Sequence, residues 1–457
     1  MKRVFAKKGR RKLSTCSLMA SKRGKIALAS LVLVLAFSGV GQAQRIITLP
    51  EAIQLSEIHS FNLGSLRHDS LAGQFDLAAS KALRYPTLSA GATSFYTDEV
   101  QKIELPFSTS ELGSNENYLA DMRLTLPLYT GGRISNQIRM QSSLAGLRGY
   151  NVQAARLQSA YQARHAYLSL MMAMSGAAAA EASLRRVEIL GRDVTNLFAS
   201  GLADSVDILD SQLALERAQR THNERQTAVE NALSLLAQLT GLARAEIVIA
   251  DEELPTPDIE PYENAGAVPE KIERPELAAL ESRADAARHS VGLAQAGNLP
   301  NLSAFGGYTV GKPNRDFVGN DWNDYWTVGL NLNWEFNLGL RTIRNVSSAR
   351  ESARSATLAR DNLEESIRLG ARVTYDNLRQ AFRNYAVSLR EFQIADRKYH
   401  LGAERERAGT LSVNRLIELE ADLASTEQLH RSAVINYYLA ETEYLYAIGS
   451  KRIYGGF

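Results

Sequence analysis

A single cysteine, Cys16, stands in 457 residues, so no disulfide can form within the chain and a cysteine-based zinc or iron–sulfur site lacks its ligands. Proline is scarce and unevenly placed: the eleven leave two stretches, 128–254 and 314–457, without any. Both stretches are rich in Ala, Leu, Glu, Gln and Arg, which predicts two long, uninterrupted helical territories. Long hydrophobic runs are missing as well. Past residue 43 the best, Leu168–Ala180, is mostly Ala and Met broken by Ser and Gly, too weak to span a bilayer as a helix. The seven histidines form no His-x3-His pair and no His-Glu-x-x-His, and no Gly-x-Ser-x-Gly elbow or lysine-bearing phosphate loop occurs. These absences predict a protein that is not an enzyme, with no cofactor and no metal.

The charge is the sum of two unlike pieces. Residues 1–25 hold ten Lys or Arg and no acid, the apolar run Ile26–Phe37 follows, and Gly41-Gln42-Ala43 makes a small-residue exit. That order is a secretory signal over residues 1–43, with Met19 as a second candidate start. Its removal takes ten of the 52 basic residues and leaves 42 against 50 acidic, a net charge of −8. An acidic exported protein is a poor partner for nucleic acid. Cys16 precedes the apolar run, so it is not a lipoprotein's acylated first residue.

Within the helical territories apolar residues recur in steps of three and four, as in Leu184, Val187, Leu190, Val194, Leu197 and again in Tyr437, Ala440, Tyr444, Ala447. A single helix from Arg133 to Ser200 would run about 100 Å, the scale of a coiled-coil rod. The chain also repeats itself. Tyr85-Pro86-Thr87-Leu88-Ser89-Ala90 returns as Leu299-Pro300-Asn301-Leu302-Ser303-Ala304, and Leu126-Pro127-Leu128-Tyr129-Thr130-Gly131-Gly132-Arg133 returns loosely as Trp334-Glu335-Phe336-Asn337-Leu338-Gly339-Leu340-Arg341. Ser200 to Leu209 returns as Ala408 to Leu416, one residue shorter. A first repeat over 44–250 and a second over 276–457 are expected, joined by a Pro-rich acidic linker at 251–275, with hairpin tips near 198–207 and 406–414. Each repeat should open with a helix, the first capped by Thr48 with Glu51 three residues on.

Each repeat also predicts a strand pair, about 87–97 with 117–129 and 301–311 with 325–336. Along Tyr118–Leu128 the even positions are apolar, including Met122, Leu124 and Leu126, while Asp121, Arg123 and Thr125 alternate with them. Trp326, Val328, Leu330, Leu332 and Trp334 alternate with Thr327, Asn331, Asn333 and Glu335 in the same way. A half-buried strand of a soluble sheet gives this pattern too. Strands of about ten residues, all three tryptophans in or beside one strand, and an export signal favour a membrane wall instead, with the first sets toward lipid and the second toward a lumen. Four strands would leave two sheet edges in lipid, so copies of the chain must pool them: two copies give eight strands, three give twelve.

The two strand-to-helix junctions, the tip Gly201 to Leu209 with its second copy Gly409 to Leu416, and the strand entry Tyr85-Pro86-Thr87-Leu88 together resemble the TolC-like outer-membrane efflux proteins, over residues 46–449. The resemblance implies a mainly α fold with a membrane β part: a homotrimeric channel-tunnel whose twelve-stranded barrel crosses the outer membrane and continues as a long periplasmic α-barrel. It implies a passive duct, serving efflux or type I secretion, that docks a periplasmic adaptor and an inner-membrane RND or ABC transporter. Gly201, Leu202, Gly409, Thr410 and Leu411 would then meet the adaptor. In that family acidic residues just past the tips line the periplasmic entrance; here these are Asp207 and Asp210, matched in the second repeat to Asn414 and Ile417 with Arg415 between. Asp207 and Asp210 equally suit the plain role of charging a helix N-terminus. A periplasmic coiled-coil adaptor is the competing reading, but it would carry one hairpin rather than a duplicated strand pair and hairpin.

Overall fold

The computed structural model describes residues 45–249, 254–263, 268–270, 272–315, 320–336 and 338–456. The signal-like segment 1–43 and the linker residues 251–253, 264–267 and 271 lie outside the described residues. In chain order the elements are β1 (Arg45–Ile47), α1 (Leu49–His59), α2 (Phe61–Ala82), β2 (Thr87–Tyr96), β3 (Gln101–Leu105), β4 (Ser108–Leu112), β5 (Glu116–Tyr129), α3 (Arg133–Ala199) and α4 (Ser205–Thr240). The course continues with β6 (Ile247–Ile249), α5 (Glu260–Glu263), α6 (Pro275–Ala296), β7 (Asn301–Lys312), β8 (Asn323–Asn333), α7 (Arg341–Arg407) and α8 (Val413–Ile448).

Proline placement explains the helix starts. Pro50 and Pro275 occupy the first turns of α1 and α6, where the missing N–H has no helical partner to lose. The expected capping box at Thr48 does not form: Thr48 is the N-cap residue in extended backbone, but its side chain makes no capping bond. Ser60 caps the next helix instead, its hydroxyl accepting the Leu63 N–H at 3.2 Å. The proline-free stretches fold as two hairpins of equal dimensions, α3 with α4 and α7 with α8, each a 67-residue helix followed by a 36-residue one. At 1.5 Å per residue the long helices run about 100 Å.

β2, β5, β7 and β8 form one antiparallel sheet in the order β2-β5-β7-β8, so β2 and β8 are its edges. The register slips between Pro127 and Tyr129, where a residue without an N–H cannot serve the ladder. The connection after β2 holds a small hairpin, β3 with β4. Two glycines in left-handed backbone, Gly131 at φ 62° and Gly132 at φ 81°, turn β5 into α3. A Cβ on Gly131 would stand 2.5 Å from the Leu299 Cβ, so that position admits nothing larger.

The main core gathers where the halves meet. Ile47, Leu49 and Ile53 pack with Tyr167, Leu168 and Leu170 of α3, Leu236 of α4, and Tyr437, Tyr444 and Leu445 of α8. Burying one such side chain stabilises by about 1.5–3 kcal/mol. The two-stranded sheet β1-β6 caps this core, and the linker is strapped across it. Tyr438 donates to the Pro255 carbonyl at 2.9 Å, Tyr437 to the Asp258 carbonyl, and Tyr262 to Glu441. Burial pushes the Tyr438 hydroxyl up to about 12, so these hydroxyls stay donors. Arg164 of α3 is 1% exposed and donates to Thr442 Oγ1 at 2.9 Å, the Gly455 carbonyl at 3.0 Å and Glu441 Oε2 at 3.1 Å. A smaller cluster of Leu190, Val194, Val413 and Leu416 sits near the hairpin tips.

Candidate functional site

Strand register sorts the sheet into two chemically distinct faces. Met122 lies opposite Tyr308, which lies opposite Trp326; Leu124, Gly306 and Val328 make the next row, and Leu126, Ala304 and Leu330 the third. Leu332 follows, opposite Leu302. This face is apolar and open: Trp326 and Val328 are each 75% exposed, Leu330 68% and Leu332 64%. A lone chain therefore presents a contiguous apolar surface of the kind that marks an interface or a lipid contact.

The opposite face is polar. Asp121 lies opposite Gly91 and Thr309, Arg123 opposite Ser89 and Gly307, and Thr125 opposite Thr87 and Phe305. Thr327 pairs with Gly307, Asn331 with Ser303, and Asn333 with Asn301. Period-two alternation readily predicts these sets. Phe305 was missed, because it is an aromatic standing out of phase with Leu302, Ala304, Gly306 and Tyr308 along β7. That break of phase was the available signal.

Two expected strand residues fall elsewhere. β8 ends at Asn333, so Trp334 and Glu335 lie beyond it. Trp334 Nε1 donates to the Asn298 carbonyl at 3.1 Å, and Glu335 pairs at 3.4 Å with Arg341, the first residue of α7. The turn after α6 holds the first side chain and the start of α7 the second, and the ladder ends three residues short of the expected boundary. At the same junction Leu340 holds the left-handed turn at φ 59° that Gly132 holds before α3.

The two tips are one structure written in different residues. The first turns through Gly201 at φ 71° and the second through Gly409 at φ 66°, each three residues before an N-cap, Asp204 and Ser412. The second tip is thus no shorter than the first, which corrects the residue matching. Asp207 corresponds to Arg415 rather than Asn414, and Asp210 to Glu418 rather than Ile417. The reason is visible in the packing: Ile208 and Leu416 both join the tip cluster, and Ile417 packs beside them. Asp207 is occupied by the cap itself, its Oδ2 accepting the Asp204 N–H at 3.0 Å while Asp204 Oδ1 accepts from Val206 and Asp207 at 2.8 and 3.0 Å. Asp210 sits one turn on and half-buried; Asn414 is exposed, and Arg415 pairs with Glu418.

At the outermost point Gly201, Leu202, Gly409 and Thr410 are exposed, Leu202 by 77%. Leu411 is instead half-buried against the tip cluster. Just above, Glu406 is buried, and burial together with the Asp193 carboxylate holds its own carboxyl above the ordinary range. Between the hairpins Arg186 of α3 bridges Glu420 at 3.2 Å and Glu427 at 3.4 Å on α8, and the Ser183 hydroxyl donates to Glu420 at 2.8 Å. Among the described residues no helix is long and apolar enough to cross a membrane, and no group of three or more His, Cys, Asp or Glu could hold a metal ion.

The family description "Outer membrane efflux protein" matches residues 52–242 and 270–448, most of both halves. The chain belongs to the outer membrane efflux protein family. Among curated relatives it is 24% identical over 247 residues to the outer membrane protein TolC of Vibrio cholerae, covering 51% of this chain and 55% of that one. It is 27% identical over 235 residues to the protein CyaE of Bordetella pertussis, covering 50% and 49%. The chain thus spans about half the length of the curated relatives it matches. Among solved structures the outer-membrane channel OprN superposes with a TM-score of 0.73 at 19% identity, covering 89% of this chain and 90% of that one. The outer membrane protein VceC of Vibrio cholerae gives 0.74 at 16% identity, covering 88% and 96%, and the CmeC outer membrane channel of Campylobacter jejuni gives 0.73 at 16%, covering 96% and 94%. At these identities the structures establish the shared fold, which is mainly helical. Membership places the chain in the outer membrane.

Proposed function

We propose that this outer membrane efflux protein is one third of a passive exit duct, in which three copies close a twelve-stranded barrel and their hairpins line a periplasmic tunnel. The observation that carries this reading is the open sheet: β2 and β8 are unpaired edges beside an exposed apolar face. Unpaired backbone groups in hydrocarbon cost several kcal/mol each, and further copies remove both edges at once. Two copies would fill their interior with side chains, whereas three leave a lumen. Lipid then meets Met122, Leu124, Leu126, Trp326, Val328, Leu330 and Leu332, with Trp334 at the membrane edge. Water meets Asp121, Arg123, Thr125, Thr327, Asn331 and Asn333, while Glu335 belongs to the junction.

The exposed tip residues Gly201, Leu202, Gly409 and Thr410 meet a periplasmic adaptor, which hands on cargo from an inner-membrane RND or ABC transporter, in efflux or type I secretion. Leu411 supports the tip from within. Asp207 and Asp210, with Arg415 and Glu418 of the second hairpin, border the entrance. Two hairpins and a strand ribbon with no place in a soluble protein count against the adaptor reading.

The strand orientation is tested by Leu330→Arg, expected to cost about 2–4 kcal/mol of barrel stability, against a tolerated Asn331→Arg. Heat resistance of the oligomer on a denaturing gel reads the difference, and equal tolerance at both positions would sink the proposal. Single-channel recordings of Asp207→Asn with Asp210→Asn test the entrance: loss of divalent block is expected, and unchanged selectivity and block would remove that assignment.

A further inference from the structure

Among the described residues the polar face of the sheet carries two charges, Asp121 and Arg123, both on β5 and two positions apart. They make no ion pair with each other, because each is drawn to a different neighbour. The Asp121 carboxylate lies over Gly91 of β2, where a Cβ would stand 2.9 Å from Oδ1. The Arg123 guanidinium leans the other way, its Cζ 5.4 Å from the centre of the Phe305 ring on β7. That ring in turn occupies the space over Gly329, where a Cβ would stand 2.8 Å from its Cζ. A glycine on each side thus makes room for one charge, or for the ring that holds it, and keeps both against the wall.

We infer that Asp121 and Arg123 form the charge-selective band of the β-lined passage, with the guanidinium lying over the Phe305 ring. The inference rests on the proposed reading that this face lines the lumen. In a threefold assembly it gives a layer of three carboxylates and a layer of three guanidiniums, about 7 Å apart along the strand. The screening length is about 10 Å at 0.1 M salt, so the two fields overlap and largely cancel for a simple ion. A solute carrying separated charges of both signs meets a complementary field. Removing one layer unmasks the other, as rings of a single sign select ions in other pores.

The test is the reversal potential of the full protein in planar lipid bilayers under a potassium chloride gradient. Arg123→Gln should raise the potassium-to-chloride permeability ratio by at least about twofold, and Asp121→Asn should lower it by a similar factor. Both shifts should shrink in 1 M salt, where the screening length is about 3 Å. Arg123→Lys keeps the charge and should restore the original ratio. Asp121→Asn touches no hydrogen-bonded partner and stands as the independent variant should Arg123→Gln fail to assemble. Conducting pores whose ratio is unchanged, or moves the same way in both variants, overturn this inference alone. An unaltered protein that forms no pore overturns the lumen reading and this inference with it.

Discussion

The two halves of the chain build the same hairpin, 67 residues up and 36 back, yet they bury it differently. α3 is packed on by α1, α2, α4, α6 and α8, and its buried residues run most of its length. α7 has α6 and α8 as its principal neighbours and leaves Leu358, Leu369, Val373, Val387, Ile394 and Leu401 exposed. The backbone plan is therefore independent of which face is covered, because helix length and tip geometry come from local chemistry while burial comes from neighbours. The first hairpin is the pillar on which the chain folds. In the proposed assembly the bare face of the second is where a neighbouring copy lies.

The largest expected effect breaks the bond between the halves. Arg164 belongs to the first hairpin and Glu441 to the second, and both are buried. Glu441→Leu removes a buried acceptor from both Arg164 and Tyr262 and should cost about 3–5 kcal/mol. Pairing it with Arg164→Met should recover part of that loss, since an apolar pair avoids the desolvation of the buried guanidinium. Thermal stability of the assembled oligomer separates the single from the double change. If the double variant were the weaker, the salt bridge would be holding the halves together beyond its own desolvation.

A smaller effect sharpens the comparison at the junctions. Gly132 and Leu340 take the same left-handed turn, which an L side chain adopts at about 1–2 kcal/mol. Gly132→Leu should lose that amount, although a Cβ there would meet only Asn136 Nδ2, at an ordinary 3.5 Å. Leu340→Gly should gain less than about 1 kcal/mol, because relief of strain is partly offset by the extra freedom glycine has when unfolded. Paired denaturation curves read both, and a loss at Leu340 would mean that its half-exposed side chain has packing value in the assembly.

Much of this was legible in sequence where one local rule dominates. Proline-free stretches became the hairpins, and alternation from Tyr118 to Leu126 and from Trp326 to Leu332 placed each residue on its face, since a period of two leaves no freedom once the register is set. What stayed hidden depended on partners distant in the chain. Trp334 and Glu335 read as strand, but the Asn298 carbonyl and Arg341 claim them. Phe305 gains a place only through Gly329 and Arg123 on the neighbouring strands. Thr48 had the spelling of a capping box without its bond, whereas the box at Asp204 and Asp207 was spelled with two acids. Matching the tips by letters misplaced Asp210 by one position, and only the paired N-caps put Glu418 in its place.

The finest comparison concerns those caps. The Asp204 side chain accepts two backbone N–H groups and its own N–H donates to the Asp207 carboxylate, while Ser412 accepts one, from Arg415, at 3.4 Å. Replacing a cap by alanine typically costs about 1 kcal/mol, so Asp204→Ala should exceed that and Ser412→Ala should fall below it. Tips open locally without unfolding the protein, so amide exchange in the first turns of α4 and α8 is the fitting readout. Asp204→Ala should speed exchange at Val206 and Asp207 several-fold more than Ser412→Ala speeds it at Arg415. The difference follows from what else holds each turn: Leu411 packs on the cluster of Val413 and Leu416, whereas the equivalent position of the first tip is the small Ala203. Equal sensitivity would mean that packing by Leu411 does not substitute for the weaker cap, and that the two tips open with the same ease.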